Sequence, residues 1–430
     1  MKINITIDEI TEELLNEFKE KITNNSLDYL AINNNEIDFV DIYDEWKKIK
    51  INNFSFEYFL QEISEALKIN SSLDNICINE IEITDKVGRC LSDILKVNSS
   101  ITQLDLSENK NINEVIEYLS EALKVNSSLY ELYLDKSEIN DESCKYIADC
   151  LKINSSITYL HLSRNEITDE GLKELSECLK INSSLCELYL YVNNITSEGI
   201  KYLSDTLKIN SSLSILYLGH NNITSEGLKY LSDALKVNPL LCELGLKNNN
   251  IDDVGCEYLS DALKINSSLS KLDLGQNNLT SEGLKYLSDA LKINSSLSNL
   301  DLDQNNLTSE GIKYLSDALK VNSSLSNLDL GHNNITSEGL KYLSDALKIN
   351  SSLIDLNLSL CNLTVEKIVY HLFLHDIIYT NEGIEELSNA LKVNSSLIKL
   401  NLIINKINYE GLKYLSDALE ENITLTKLII

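Results

Sequence analysis

The chain has 430 residues, of which 66 are Asp or Glu and 37 are Lys or Arg, a formal net charge of −29. Hydrophobic residues make up 43%, enough for a large core, so wholesale disorder is excluded. So negative a chain argues against nucleic-acid and anionic-membrane partners, because both attract basic surfaces.

A single proline, Pro239, leaves no proline-rich linker, and nine cysteines without CxxC spacing disfavour a disulfide framework or zinc finger. The start, MKINITIDEITEELL, carries charge in its first ten residues and has no apolar core of a signal peptide. No run of 18 apolar residues exists to span a membrane. The expected setting is a reducing cytoplasm, its own or that of a host cell.

Residues 1–23 are predicted to form an N-terminal helical cap. Over residues 8–23, Ile10, Leu14, Leu15, Phe18 and Ile22 make one apolar face that can cover the first unit of a stack. Residues 24–430 are read as a repeat array. Asn-Ser-Ser-Leu, or a close variant, begins at Asn70 and recurs every 28 residues to Asn350. Asn24 starts the pattern 46 residues before Asn70, and Asn394 follows Asn350 by 44, so two insertions fall near 38–55 and 365–380. The first holds the only tryptophan, Trp46, and is expected to project as a loop. The second, VEKIVYHLFLHDIIYT, is mostly apolar. It is expected to pack as an extra helix or to expose Leu372, Phe373 and Ile377 to a partner.

One unit, Asn210 to Val237, shows the physics. Leu213, Leu216 and Leu218 alternate as a short strand. Asn221 and Ile223 follow in a turn, and Thr224 or Ser225 can cap a helix with Glu226 in its first turn. Leu228, Leu231, Ala234 and Leu235 share a helix face. Lys229 and Asp233 are spaced for an exposed i,i+4 pair, and Lys236 suits the helix C-terminus. Strand, turn and helix cannot bury their apolar faces alone, but stacked copies can.

Leu213-x-x-Leu216-x-Leu218-x-x-Asn221-x-Ile223 resembles the leucine-rich repeat motif. The 28-residue period and the Gly-x-x-x-Leu-x-x-Ala-Leu helix resemble the ribonuclease-inhibitor-like subclass, found in NOD-like receptor sensor regions and Ran GTPase-activating proteins. The resemblance covers about residues 24–430. It implies an α/β solenoid, a horseshoe with a concave parallel sheet and convex helices. It also implies a ladder of turn asparagines bonded to backbone: Asn109, Asn165, Asn193, Asn221, Asn249, Asn277, Asn305, Asn333 and Asn405. Cys361 fits the same place. Ile81 and Ser137 depart from it and put the ladder there in doubt.

Most chemistry-bearing types have structural readings. Ten of the fourteen glycines start helices, where neighbouring units approach closely, and none forms a phosphate-binding motif. Asn-Ser-Ser is a glycosylation sequon eleven times over, but it also suits the turn from helix to strand. Cys144, Cys150, Cys178 and Cys256 read as small core residues. His371 and His375 would share a helix face like a metal pair, yet no third ligand is evident. No cofactor and no catalytic group is expected.

The concave face is where function is expected. Positions flanking the second and third leucines carry Tyr133, Tyr159, His161, Tyr189, Tyr191 and Tyr217, bordered by Glu131 and Glu187. Later units carry Asp273, Asp301 and Asp329 as an acidic stripe. Clustered tyrosines beside carboxylates suit a protein-binding hot spot, with a basic partner favoured. The expected function is therefore a non-enzymatic protein-binding scaffold. The alternatives are a GTPase activator, with Arg164 or Asn193 as candidate residues, and an inhibitor of a basic enzyme. The apolar C-terminal strand, LTKLII, leaves self-association through its edge open.

Overall fold

The computed structural model describes residues 3–7, 12–24, 27–33, 36–41, 46–51, 56–363, 365–371 and 374–430. It divides into two compact units, Met1–Leu216 and Tyr217–Ile430. The boundary falls inside the repeat array, where the sequence marks no break.

The repeat spanning residues 266–293 shows how sequence becomes structure. Leu272 points inward from the strand Lys271–Asp273, while Lys271 and Asp273 face the open side. Leu284, Leu287, Ala290 and Leu291 of the helix Ser281–Leu291 meet it from the other layer, none more than 1% exposed. Thr280 caps the helix by accepting from the Glu282 N–H. The Thr280 N–H donates in turn to Asp253 Oδ1 of the preceding helix at 2.7 Å, so this cap is anchored by its neighbour.

The strands Glu243–Gly245, Lys271–Asp273, Asn299–Asp301, Asn327–Asp329, Asp355–Asn357, Lys399–Asn401 and Lys427–Ile429 pair in parallel. Equivalent positions face one another, as in Asp273↔Asp301 and Asp301↔Asp329. The first unit repeats the arrangement from Asn75–Asn79 through Gln103–Asp105, Glu131–Tyr133, Tyr159–His161 and Glu187–Tyr189. Each unit is thus an α/β solenoid with strands on one side and helices on the other.

Asparagine holds successive repeats together twice. In the turn, Asn305 Nδ2 donates to the carbonyls of Leu274 and Leu302 at 3.0 and 3.1 Å, and Asn305 Oδ1 accepts from the Leu279 N–H at 3.1 Å. The ladder survives where the motif departs. The Ser137 hydroxyl donates to the Leu106 carbonyl, and the Ile81 N–H is taken by Asn109 Oδ1. Cys361 Sγ lies 3.0 Å from the Leu330 carbonyl. A second ladder, not expected from the motif, uses the asparagine of Asn-Ser-Ser-Leu. Asn294 Nδ2 donates to Leu263 and Asn266 carbonyls, while its Oδ1 accepts from the N–H groups of Ser296 and Leu297. Asn294 is buried and both amide hydrogens are engaged. Its sequon therefore serves the fold, and a glycan there would displace the ladder.

Four expectations are corrected. The cap is more than a helix. The helix Glu12–Thr23 buries Leu15, Phe18 and Ile22, with Phe18 edge-on to Phe59 at 5.5 Å. The insertion near 38–55 does not simply project; it forms sheet. Leu27–Asn33 pairs antiparallel with Glu36–Asp41, which pairs with Trp46–Ile51, which takes the parallel strand Ile3–Ile7. An edge strand offers unpaired backbone groups, and these strands satisfy them. The second insertion is an antiparallel hairpin, Val365–His371 with Leu374–Tyr379, not a helix. The helical i,i+4 relation of His371 and His375 therefore fails, while Leu372 and Phe373 lie outside the described residues. The strand Asp355–Asn357 pairs directly with Lys399–Asn401, so the hairpin leaves the register intact. Finally, Asp233 pairs with Lys236 at 3.0 Å, and Lys229 lies 5.7 Å from the Tyr258 ring centroid of the next helix instead. Exposed ion pairs and exposed cation–π contacts are each worth about 1 kcal/mol or less, so the i,i+4 spacing alone does not select the partner.

Candidate protein-recognition face

Parallel register builds the aromatic cluster of the first unit. Tyr133 stands opposite His161, and His161 opposite Tyr189. Strands lie about 4.8 Å apart, close to ring-stacking distance. The ring centroids are 4.2 and 4.1 Å apart, with interplanar angles of 23° and 8°. Burial lowers the His161 pKa to about 4, so the ring is neutral at pH 7. The Tyr133 hydroxyl donates to Glu131 Oε2 at 2.8 Å, and the Tyr189 hydroxyl to Glu187 Oε2 at 2.6 Å. Burial, then Glu131, pushes the Tyr133 phenol up, so it stays a donor.

Tyr159 sits between the two glutamates in register. Its ring meets Tyr130 edge-on at 6.0 Å. The sequence reading missed Tyr130, which is 41% exposed; its place just before Glu131, flanking the strand, was the available signal. Tyr191 is half-buried two residues beyond the strand Glu187–Tyr189, where its carbonyl accepts from the Arg164 N–H. Asp135, held up by burial, accepts from the Ser163 N–H at 2.6 Å. Among the described residues, no Lys or Arg occupies a sheet-facing position from Asn75 to Tyr191.

Tyr217 belongs to the second unit. Its hydroxyl donates to Glu243 Oε2 at 2.9 Å and accepts from Lys271 Nζ at 2.8 Å; Lys271 also reaches Glu243 at 3.2 Å. The ring lies flat on Gly245, where a Cβ would sit 2.9 Å from Tyr217 Cε1. Gly245 is not among the ten glycines that start helices, and it lies on the strand Glu243–Gly245. Seating the ring requires its missing side chain.

Asp273, Asp301 and Asp329 line a cavity of about 270 Å³ with Asn299, Asn327 and Lys271. Each carboxylate accepts one backbone N–H: those of Gly275, Asp303 and Gly331. Asn357 Nδ2 bridges both oxygens of Asp329 at 2.9 Å. Asp303, on the adjoining position, pairs with His332 at 2.8 Å and Lys247 at 3.8 Å. Burial and then Asp273 raise Asp301 to about 7.

The Asp301 shift has a measurable sign. The folded chain keeps a proton on Asp301 that the unfolded chain, with an ordinary carboxyl, releases. Stability is therefore lost as pH rises from about 4 to about 7. Asp301→Asn still accepts from the Asp303 N–H and should stabilise the chain by about 2 kcal/mol above pH 7, after discounting for solvent. The gain should vanish near pH 4, and urea titrations at the two pH values check it. An equal gain at both would contradict the shift.

The alternative candidates separate. Asn193 belongs to the turn ladder, donating to the Leu162 and Leu190 carbonyls. Arg164 is exposed in a left-handed turn, φ 58°, and lines a groove of about 670 Å³ with Glu80, Glu108, Lys136 and Glu166. Cys144, Cys150, Cys178, Cys256 and Cys361 are buried free thiols, with Cys150 pushed up to about 12 by burial. Among the described residues, no helix is long and apolar enough to cross a membrane.

The family model described as Leucine Rich repeat matches residues 154–176, 210–232, 237–260, 266–288, 294–316 and 321–344. The chain is a leucine-rich repeat protein. No curated protein matches it. Among solved structures, it is similar to a yeast complex of Rad7 and Elc1, at 17% identity over 76% of this chain and 77% of that one, TM-score 0.48. An internalin (inlF) from Listeria monocytogenes is 21% identical over 69% and 82%, TM-score 0.41. The actin-binding site 2 of leiomodin-1 is 19% identical over 44% and 94%, TM-score 0.30.

Proposed function

We propose that the chain is a non-enzymatic recognition module that binds a protein on the open face of its sheet. The observation that carries this reading is the Tyr133–His161–Tyr189 stack with its paired glutamates. Rings held by stacking lose little entropy when a partner covers them, and half-buried tyrosines offer apolar area with a polar tip. The acidic column of the second unit supports a basic partner. Asp273 and Asp301 repel one another, and a cation would relieve that repulsion. The 28-residue period with a helix in every repeat supports the ribonuclease-inhibitor-like subclass. A reducing cytoplasm is the proposed setting.

Tyr133→Ala combined with Tyr189→Ala should weaken capture of the partner by about 100-fold or more, as for two moderate hot-spot residues. The thermal midpoint should fall by only a few degrees, because the substitutions sit on the open face. The partner is first isolated by affinity purification and mass spectrometry, and its affinity for both proteins is then measured by titration calorimetry. Unchanged affinity would remove the face from the reading.

A further inference from the structure

Among the described residues, the hydroxyls of Tyr133, Tyr189 and Tyr217 each donate to a sheet-face glutamate, and at one of these pairs the chain supplies a lysine of its own. In the second unit, Lys271 Nζ bonds both Tyr217 and Glu243 and lies 5.5 Å from the Tyr217 ring centroid. On the helix side, Arg89 does the same for Tyr118 and Asp85: its guanidinium carbon is 4.7 Å from the ring centroid, with bonds of 2.8 and 3.0 Å to the hydroxyl and carboxylate. Tyrosine beside a carboxylate is, in this protein, a seat for a basic side chain.

The first unit holds two such seats, Glu131 with Tyr133 and Glu187 with Tyr189. Among the described residues, no Lys or Arg pairs with Glu131 or Glu187. Each carboxylate offers about four acceptor sites; its tyrosine hydroxyl takes one, and at Glu131 Tyr130 also bonds. The seats are identical in sequence, Glu-Leu-Tyr, and occupy the same register two strands apart, with Tyr159–His161 between.

We infer that this face binds a polyproline II segment of a partner carrying basic side chains at positions i and i+3, one for each Glu–Tyr seat. The inference rests on the reading that the open sheet face binds protein, and it adds the partner's chemistry and spacing.

Two strand steps separate the seats by about 9.6 Å. A polyproline II helix has three residues per turn and about 3.1 Å rise, so i and i+3 project to one side about 9.3 Å apart. An extended β segment places same-side residues about 6.6 or 13 Å apart, which matches neither seat. An α-helix offers i and i+7 about 10.5 Å apart, but its 10–12 Å width holds its backbone off a face whose middle strand carries Tyr159 and His161. Charge agrees with shape. Asp105, Glu131, Asp135 and Glu187 surround the rings, and His161 adds no positive charge at neutral pH.

The test uses the full chain and three fluorescent peptides, read by anisotropy. Pro-Arg-Pro-Pro-Arg-Pro carries the predicted spacing, Pro-Arg-Pro-Arg-Pro-Pro breaks it, and an alanine-rich helix carries arginines at i and i+7. The first should bind about tenfold tighter than either other, the difference expected from one charge-assisted contact. Glu131→Gln and Glu187→Gln should each weaken it by about tenfold. Glutamine still accepts the tyrosine hydroxyl, so the rings stay placed, and circular dichroism confirms folding. Equal binding of the two proline peptides, preference for the helix, absence of binding, or indifference to both Gln variants overturns the inference. The recognition reading fails separately, through a natural partner that ignores Tyr133→Ala with Tyr189→Ala.

Discussion

Asn294→Ala should destabilise the chain by about 3 kcal/mol. The side chain serves four backbone groups in three segments: it donates to the Leu263 and Asn266 carbonyls and accepts from the Ser296 and Leu297 N–H groups. Truncation leaves these groups unpaired where Asn294 is buried, and each orphaned group costs roughly 1–3 kcal/mol, less where water can enter. Asn294→Asp sharpens the result. It keeps the shape and both accepted bonds, but turns a carboxylate oxygen toward two carbonyls. It should therefore destabilise nearly as much as alanine at pH 7, and less at low pH, where the protonated acid can donate to one of them. Urea midpoints for both variants check this. A harmless aspartate would mean that the ladder contributes through shape alone.

Gly311→Ala should also destabilise, against the usual preference of helices for alanine. Gly311 lies in the helix Ser309–Leu319, where the exchange would ordinarily gain about 1 kcal/mol. Here a Cβ would stand 2.9 Å from Ser281 Cα of the preceding helix and 3.2 Å from Leu284 Cδ2. Backbone cannot swing aside as a side-chain tip can, so two repeats must separate or tilt. Overpacking of this kind costs about 1–3 kcal/mol and outweighs the propensity gain. Gly311→Val should be worse, adding two methyls beyond the Cβ at the same contact and a branched Cβ in the helix. A thermal midpoint that rises for alanine would show that the repeats can part without penalty.

Much of this was legible along the chain. The leucine alternation around Leu272 and the helical spacing of Leu284, Leu287 and Leu291 are local patterns, and repetition made them unambiguous. The glycines of the helix starts were assigned to close approach, and the contact at Gly311 is of that kind. The column of tyrosines could be placed on the open face from strand alternation alone. The hairpin Val365–His371 with Leu374–Tyr379 could not be distinguished from a helix, because the segment is mostly apolar and has no Gly, Pro or Asn to mark a turn. The strands of the first insertion were missed for a related reason. Glu36–Asp41 gains its value only beside the otherwise open edge of Leu27–Asn33.

The sequence by itself determined the period, the two layers and the side each residue faces, because these depend on neighbours within one turn or strand. Tertiary structure alone decided what meets across repeats. It turned the Asn-Ser-Ser asparagines into a second ladder and stacked His161 between Tyr133 and Tyr189. It gave Lys271 to the Tyr217–Glu243 pair and, among the described residues, no basic residue to Glu131 or Glu187. Such contacts join residues 28 to 54 positions apart, where register and side-chain reach, not local pattern, select the partner.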